Sequence, residues 1–260
     1  MELLRSQLLA DFPHGFTTRT GGSSAAPFDS LNLGDRVEDA PGAVVENWRR
    51  LELATGLGFA RVRQVHGPRV ITGVEPSAPC EEADGVVSAS AGVAACVAVA
   101  DCVPILLARA DRTAVAALHA GWRGTLARIA AEGVRALAGE CPAEPPLAVI
   151  GPSIGPCCYE VAPDLAARFE AAFGPRVVQP GARGPHLDLW FANERALRDA
   201  GVERVANLRR CTACEPRLFF SHRRDGGRTG RMVAFIAPTP ISAGRPSLTR
   251  AGSHLEFPRS

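Results

Sequence analysis

The order of hydrophobic and polar positions predicts short buried strands that interleave with amphipathic helices. Val93–Ala100 and Thr113–Leu118 are almost wholly apolar and are bounded by turn residues, which is typical of buried strands. Shorter runs predict further strands at residues 61–66, 147–150, 202–208 and 231–237, and a strand followed by a turn at residues 219–227. The first of the two long apolar runs stops at Cys102 and the second at His119, so two neighbouring strands in one sheet would bring these side chains to about the same level. We therefore expect chemistry where the strands end.

Helices are indicated by apolar residues that recur every three to four positions. The clearest pattern covers Gly124–Leu137, where Leu126, Ile129 and Val134 fall on one face. Other helices are predicted at residues 43–57, 163–173 and 188–200. Because strands and helices interleave without a strict βαβ rhythm, we predict an α+β fold, with a mixed β-sheet core flanked by helices. The prediction assigns residues 1–240 to a single catalytic domain and residues 241–260 to a flexible tail.

Composition narrows the class of protein. The 260 residues are 46% hydrophobic with a net charge of +2, which is enough for a sizeable core and argues against a nucleic-acid surface. The apolar stretch Val86–Ala110 contains Asp101 and Pro104, so a buried strand pair is favoured over a membrane span. Met1–Pro13 lacks the apolar core of a signal peptide. We therefore expect a cytoplasmic protein whose eight cysteines are reduced.

Three residues at the ends of predicted strands are candidate metal ligands: His66, Cys102 and His119. Zinc accepts thiolate and imidazole, and three protein ligands that leave one position open are the pattern of a catalytic site. The three residues come from separate segments, so spacing alone leaves open a buried cysteine with two histidines that bind no metal. The helix after His119 begins near Gly121 and Arg123, and its free N–H groups are suited to an anion.

Other cysteines and motifs carry less information. Cys211 and Cys214 have the spacing of half a zinc knuckle, but no second pair matches it and Cys157 and Cys158 are adjacent, so plain burial is expected there. The sequence contains no phosphate-binding loop and no dinucleotide fingerprint. The zinc deaminase signature is also missing.

Several long motifs, in the same order, resemble the laccase-domain family, once labelled multicopper polyphenol oxidase. The match runs from about residue 14 to residue 237. The motifs that carry it are HGFTTRTGG (14–22), SLNLG (30–34), QVHG (64–67), ADCVPILL (100–107), LHAGWRG (118–124), GPSIGPCCYE (151–160) and FFSHRRDGG (219–227). Two positions depart from the family pattern as we expect it, Ser153 and His222, and neither is a proposed ligand.

The resemblance implies a purine nucleoside phosphorylase with adenosine deaminase activity. Adenosine, inosine and S-methyl-5'-thioadenosine would be cleaved to the base and ribose 1-phosphate. The metal ligands match His66, Cys102 and His119, with zinc as the expected metal and copper as a possible one. Arginines suit phosphate because their guanidinium groups bind it bidentately, so Arg19, Arg123 and Arg223 are candidate phosphate ligands. Asn32 and Glu160 are candidates for contacting the ribose or assisting protonation.

Three alternative functions compete with the nucleoside enzyme, and the residues argue against one of them. Cys102 with His119 as its base would make a metal-free cysteine hydrolase, acting for instance in peptidoglycan editing. A copper polyphenol oxidase needs several coppers held mostly by histidine, which the six scattered histidines do not provide. A non-enzymatic, metal-dependent regulator is the third. Purine nucleoside and phosphate are the expected partners, without nucleic acid or membrane, and we expect a monomer.

Overall fold

Two β-sheets that pack face to face form the centre of the protein. A computed structural model describes residues 1–76, 81–139 and 144–239. With strands numbered in chain order, the first sheet contains, from edge to edge, β1 (Leu3–Leu4), β2 (His14–Thr17), β13 (Met232–Ile236), β6 (Val93–Val99) and β3 (Gly58–Ala60). The second contains β12 (Arg204–Asn207), β9 (Leu147–Ile150), β7 (Val103–Ala108), β8 (Val115–Ala120), β5 (Gly85–Ser88) and β4 (Val70–Thr72). A hairpin pairs β10 (Val178–Pro180) with β11 (Pro185–Leu187).

Helices cover the outer faces of both sheets. They are α1 (Pro41–Thr55), α2 (Trp122–Leu126), α3 (Ile129–Ala138), α4 (Pro163–Phe173) and α5 (Leu189–Asp199). On the first sheet, Trp48 of α1 packs edge-to-face on Phe59, which packs in the same way on Phe235. Helices α3, α4 and α5 share a core with the second sheet. A third cluster, which includes Phe16 and Leu106, fills the space between the sheets.

This architecture confirms the predicted α+β fold in one domain. The mixed character is also confirmed, because each sheet contains parallel and antiparallel pairs, although two sheets share the core rather than one. None of the helices in the described residues is long and apolar enough to cross a membrane. The predicted tail at residues 241–260 lies outside the described residues.

Three predicted elements differ from the structure. The strand predicted at residues 61–66 does not form. Strand β3 ends at Ala60, and His66 therefore lies in a loop. The side chain of Gln64 bonds both the N–H and the carbonyl of Ala98 at 2.8 Å, which replaces the backbone pairing of a strand. The helix predicted at 124–137 is broken into α2 and α3 at Arg128, whose φ is 63°. Residues 219–227 form turns without a strand.

The link between β6 and β7 carries the chain from one sheet to the other. Residues 100–102 form this link, and β7 then pairs antiparallel with β8 so that Pro104 lies opposite His119. Cys102, two residues earlier, therefore comes close to His119. The sequence prediction placed these two residues together by pairing β6 with the strand of His119, whereas β7 is the strand that does so.

We expect Gly133→Ala to destabilise the fold even though alanine favours helices. A Cβ at Gly133 in α3 would lie 2.7 Å from Cδ2 of Leu118, a side chain of β8 that is fully buried. The cost of such overpacking is about 1–3 kcal/mol. Gly42→Ala in α1 is the matched control, because nothing lies within 4 Å of its Cβ and the change should stabilise by about 0.5–1 kcal/mol. Urea unfolding measures both, and equal stabilisation by the two changes would contradict this packing.

Candidate functional site

The three predicted metal ligands converge at one point. The ligand atoms of His66, Cys102 and His119 all lie within 4.8 Å of one another. The two imidazole rings meet edge to face, with centroids 4.8 Å apart and an interplanar angle of 76°. Two imidazoles and one thiol are donors that zinc and copper both accept.

A buried carboxylate, Asp84, holds two of these groups in place. Its Oδ1 accepts hydrogen bonds from the backbone N–H of His66 (2.9 Å) and from Nδ1 of His119 (2.8 Å). Its Oδ2 accepts from the backbone N–H groups of Val65 (3.1 Å) and Gly67 (2.7 Å). Burial opposes the charge on Asp84, yet the hydrogen bonds from His119 and Gly67 keep its pKa below the usual value. The bond at Nδ1 leaves Nε2 of His119 available as a ligand.

Unusual backbone conformations place the ligands. His66 and Asp101 have φ values of 63° and 86°, in the left-handed region that side chains other than glycine rarely adopt. Gly121, before α2, leaves room for the ligands, because a Cβ there would lie 3.0 Å from Sγ of Cys102 and 3.1 Å from Cδ2 of His66. Strain of this kind is concentrated at functional sites. The donor set, its orientation by Asp84 and the space beside Gly121 together fit a bound metal ion.

Without a metal, Cys102 and His119 form an ion pair. Burial disfavours the thiolate, but the charge of His119 and hydrogen bonds from His119 and His66 lower the pKa of Cys102 to about 6. Burial likewise disfavours the imidazolium, but the Cys102 thiolate and Asp84 raise the pKa of His119 to about 9. Between these two pH values, the metal-free site contains a thiolate beside an imidazolium.

These three residues line a cavity of about 620 Å³, which is large enough for a nucleoside. Trp48, Trp122, Tyr159 and His222 supply ring surface to its walls. Its arginines are Arg36, Arg61, Arg63, Arg123, Arg223 and Arg231. Among the described residues, only Arg63 of these six forms a carboxylate ion pair, with Glu82. The cavity therefore presents a surplus of positive charge to an anion.

The predicted substrate-binding residues divide into two groups. Arg123 and Arg223 line the cavity, where their guanidinium groups lie 4.3 Å from the ring centroid of Trp122 and 5.1 Å from that of Tyr159. Arg19, Asn32 and Glu160 are not among the lining residues.

Their hydrogen bonds show what these three residues do instead. Arg19 bonds the backbone carbonyl and the carboxylate of Asp29 and the carbonyl of Pro216. Asn32 is fully buried, and its Oδ1 accepts from the backbone N–H of Arg231 at 2.8 Å. Glu160 pairs with Arg183, and its carbonyl accepts from Arg223. The side chain of Asn32 thus positions the backbone of Arg231, and the backbone carbonyl of Glu160 positions the guanidinium group of Arg223.

Sequence reasoning missed three residues of the site. Asp84 is one. Arg231, on the cavity wall, donates from Nη1 to the carbonyls of Thr229 (2.8 Å) and Gly230 (3.0 Å), and burial lowers its pKa. Burial also raises the pKa of Tyr159 to about 12, so its hydroxyl stays protonated at neutral pH. The sequence contains one signal for two of these residues: Tyr159 lies within the motif at residues 151–160, and Arg231 lies shortly after the motif at residues 219–227.

A second cluster of possible ligands contains the two cysteines for which plain burial was expected, and that expectation is confirmed for Cys211 and wrong for Cys214. The ligand atoms of Cys157, Cys158, Cys211 and Cys214 lie within 4.8 Å of one another, so this group could hold a metal ion. Cys157 and Cys214 are exposed, so simple burial does not account for them. Cys80 and Cys141 lie outside the described residues.

In chelator-treated protein, we expect Cys102 to react with iodoacetamide at low pH. The thiolate is the reactive species, so labelling should reach half its maximal rate near pH 6. Cys158 is the internal comparison: burial and neighbouring cysteines raise its pKa to about 12, so it should label slowly throughout. Peptide mass mapping across pH measures both, and added zinc should protect Cys102. A midpoint near that of an ordinary thiol would contradict the ion pair.

Comparison with known proteins gives consistent results. The family model described as multi-copper polyphenol oxidoreductase laccase matches residues 13–239. A purine nucleoside phosphorylase of Deinococcus radiodurans is 43% identical over 242 residues, which cover 91% of this chain and 92% of that protein. The purine nucleoside phosphorylase YlmD of Geobacillus stearothermophilus is 39% identical, over 85% of this chain and 88% of that protein. The crystal structure of YlmD superimposes with a TM-score of 0.84 at 36% identity, covering 92% of this chain and 97% of that one.

Proposed function

Because the chain belongs to the laccase-domain family, we propose that it is a metal-dependent purine nucleoside phosphorylase with adenosine deaminase activity. Its substrates would be adenosine, inosine and S-methyl-5'-thioadenosine, cleaved with phosphate to the base and ribose 1-phosphate. The observation that carries the proposal is the cavity itself, whose lining combines a His–Cys–His group with five arginines that form no ion pair with a carboxylate of the described residues. A nucleoside and an anion are the ligands that such a cavity fits.

His66, Cys102 and His119 would hold the metal. Three ligands leave a position open for substrate or water, and Asp84 fixes the imidazole of His119 for binding through Nε2. A zinc ion held there would supply Lewis acidity, which polarises substrate atoms and activates water for deamination.

The arginines would bind phosphate. Arg231 is the strongest candidate because only its Nη1 is used by protein carbonyls, which leaves the rest of its guanidinium group for a ligand. Arg123 and Arg223, which also line the cavity, would add charge. Phosphate held by them would be oriented for attack on the ribose C1′, and the purine would leave. Tyr159, protonated at neutral pH, would donate a hydrogen bond to the base or the sugar.

The cysteine hydrolase is a second candidate, because the lowered pKa of Cys102 beside His119 is also what a nucleophile needs. Chelation separates the two. A metal enzyme loses nucleoside turnover when zinc is removed and regains it when zinc is returned, whereas a cysteine nucleophile keeps its activity without metal. His66→Ala gives the same contrast, since a Cys–His pair does not require a second imidazole.

Laccase chemistry is less well supported. In the described residues, two groups of three or more possible ligands occur, and neither contains more than two histidines. His14 and His186 have ring nitrogens bonded to the carbonyls of Phe12 and Pro156. A trinuclear copper centre held mostly by histidine has no matching ligand set there.

A further inference from the structure

Four cysteines form a compact group away from the nucleoside cavity. Cys157 and Cys158 lie in the loop after β9, and Cys211 and Cys214 lie in the loop after β12. Sγ of Cys214 is 3.5 Å from that of Cys157 and 3.4 Å from that of Cys158, and all four cysteines are free thiols. None of the four lines the cavity.

We propose that Cys157, Cys158, Cys211 and Cys214 bind a structural zinc ion. Zinc–thiolate bonds of about 2.3 Å in a tetrahedron require sulfur atoms about 3.8 Å apart, and sulfurs that all lie within 4.8 Å of one another need little movement to reach that spacing. Four thiolates complete the tetrahedron, so no position is left for substrate. The role is therefore structural, and it goes beyond the proposed function.

The backbone holds the two loops in register for this geometry. Ser153 donates its N–H to the carbonyl of Arg210, and Thr212 donates to the carbonyl of Ser153, both at 3.1 Å. The N–H of Gly155 donates to Sγ of Cys211 at 3.3 Å. Hydrogen bonds from outer groups to a ligand atom are typical of metal sites, because they orient the ligand and stabilise its charge.

The alternatives explain fewer of these observations. Plain burial fits Cys211 but not Cys157 and Cys214, which are exposed. A zinc ion would deprotonate the thiols that coordinate it, and its charge would stabilise the resulting thiolates. Thiolate-only tetrahedral sites are typical of zinc or iron, and zinc is stable in such a site without redox chemistry.

A zinc ion here would also fix the wall of the cavity. Cys158 is followed by Tyr159, which lines the cavity. Thr212, between Cys211 and Cys214, donates its hydroxyl to Oδ1 of Asp101 at 2.6 Å, and Asp101 directly precedes Cys102. The other oxygen of Asp101 accepts the backbone N–H of Arg223 at 2.6 Å. One ion would thus join two loops, one of which hydrogen-bonds Asp101, the residue that precedes Cys102 and also accepts the backbone N–H of Arg223.

Zinc counting in the full-length protein tests the proposal. Purified protein should contain about two zinc ions per chain, Cys102→Ala about one, and the double variant Cys157→Ser/Cys214→Ser also about one. Combining all three substitutions should remove both. Because each site is removed separately, failure of the nucleoside site to bind zinc would leave wild type and Cys102→Ala equal without affecting this proposal.

Cobalt substitution and a rescue variant identify the ligands. In the Cys102→Ala background, cobalt(II) should give the strong thiolate charge-transfer bands of a tetrahedral site, and Cys157→Ser/Cys214→Ser should abolish them. In the same Cys102→Ala background, Cys214→His should retain about one zinc ion per chain, since three cysteines and one histidine also form structural sites. The proposal is overturned if the Cys102→Ala protein contains no zinc, if the double serine variant keeps the full zinc content, if iron occupies the site, or if peptide mapping finds these cysteines joined as disulfides.

Discussion

Asp84→Asn should weaken zinc binding 10- to 100-fold or more, and nucleoside turnover should fall with it. The carboxylate accepts four hydrogen bonds, two at each oxygen. The amide of asparagine has only one acceptor oxygen, so its NH₂ group must replace one of the two carboxylate oxygens. In one orientation the NH₂ group faces the backbone N–H groups of Val65 and Gly67, and in the other it faces the backbone N–H of His66 and Nδ1 of His119. In the second orientation, His119 accepts at Nδ1 and carries its proton on Nε2, which then cannot bind a metal.

The same change should lower the free energy of unfolding. Asp84 is fully buried, and each donor that loses its acceptor costs about 1–3 kcal/mol. Competition with a chromogenic chelator measures zinc affinity, and urea unfolding measures stability. Asp188→Asn is the matched control: Asp188 is also buried and also accepts a backbone N–H, as the N-cap of α5, and asparagine caps equally well. Equal zinc affinity in wild type and Asp84→Asn would contradict a positioning role for Asp84.

Arg231→Gln should reduce phosphorolysis about 10- to 150-fold, which corresponds to the about 1.5–3 kcal/mol of one hydrogen-bonding contact to a charged group. The loss should appear mainly in the KM for phosphate. Deamination of adenosine, which needs no phosphate, should change far less. Arg231→Lys should recover only part of the rate, because lysine keeps the charge but lacks the planar fork.

Two controls accompany this variant. Arg195→Gln removes an exposed arginine of α5 that pairs with Asp199, so both activities should be unchanged. Zinc content and thermal unfolding show whether Arg231→Gln is still folded, since its Nη1 bonds two carbonyls. If phosphorolysis and deamination fall by the same factor, Arg231 does not bind phosphate.

Local signals were enough to predict several elements from the sequence. Helix α4 begins at Pro163, as predicted, because proline suits the first helical turn, and it ends before Gly174. Asp188 caps α5 and marks its beginning. The apolar runs of β6, β8 and β9 were likewise predictable, because strands buried on both faces lack polar positions.

Elements that depend on distant contacts were not predictable. Residues 61–66 alternate like a strand, but the side chain of Gln64 takes the place of the backbone at Ala98. The helix breaks at Arg128, where neither a glycine nor a proline indicates a break in the sequence. Strand pairing predicted that Cys102 and His119 lie together, and the family resemblance then favoured these two residues and His66 as one metal site. Asp84 gave no signal because an Asp-Gly pair ordinarily indicates a turn.

The four-cysteine group illustrates the same limit. Its two halves are separated by more than fifty residues, and they meet only because β9 and β12 are parallel neighbours in the second sheet. The spacing of cysteines along the chain therefore indicated only Cys211 and Cys214, which are half of the group. Arg19, by contrast, lies in a recognisable motif but is engaged with Asp29 and Pro216, outside the cavity lining.

Product analysis of inosine shows whether the protein is a phosphorylase that depends on the metal ligand Cys102. Zinc-loaded protein is incubated with inosine, with and without phosphate, beside Cys102→Ala and Arg195→Gln, and the products are separated by chromatography. We expect hypoxanthine and ribose 1-phosphate in equal amounts from wild type and Arg195→Gln, only when phosphate is present, and none from Cys102→Ala. Release of hypoxanthine without phosphate, equal activity of Cys102→Ala, or no product from wild type would contradict the proposed function.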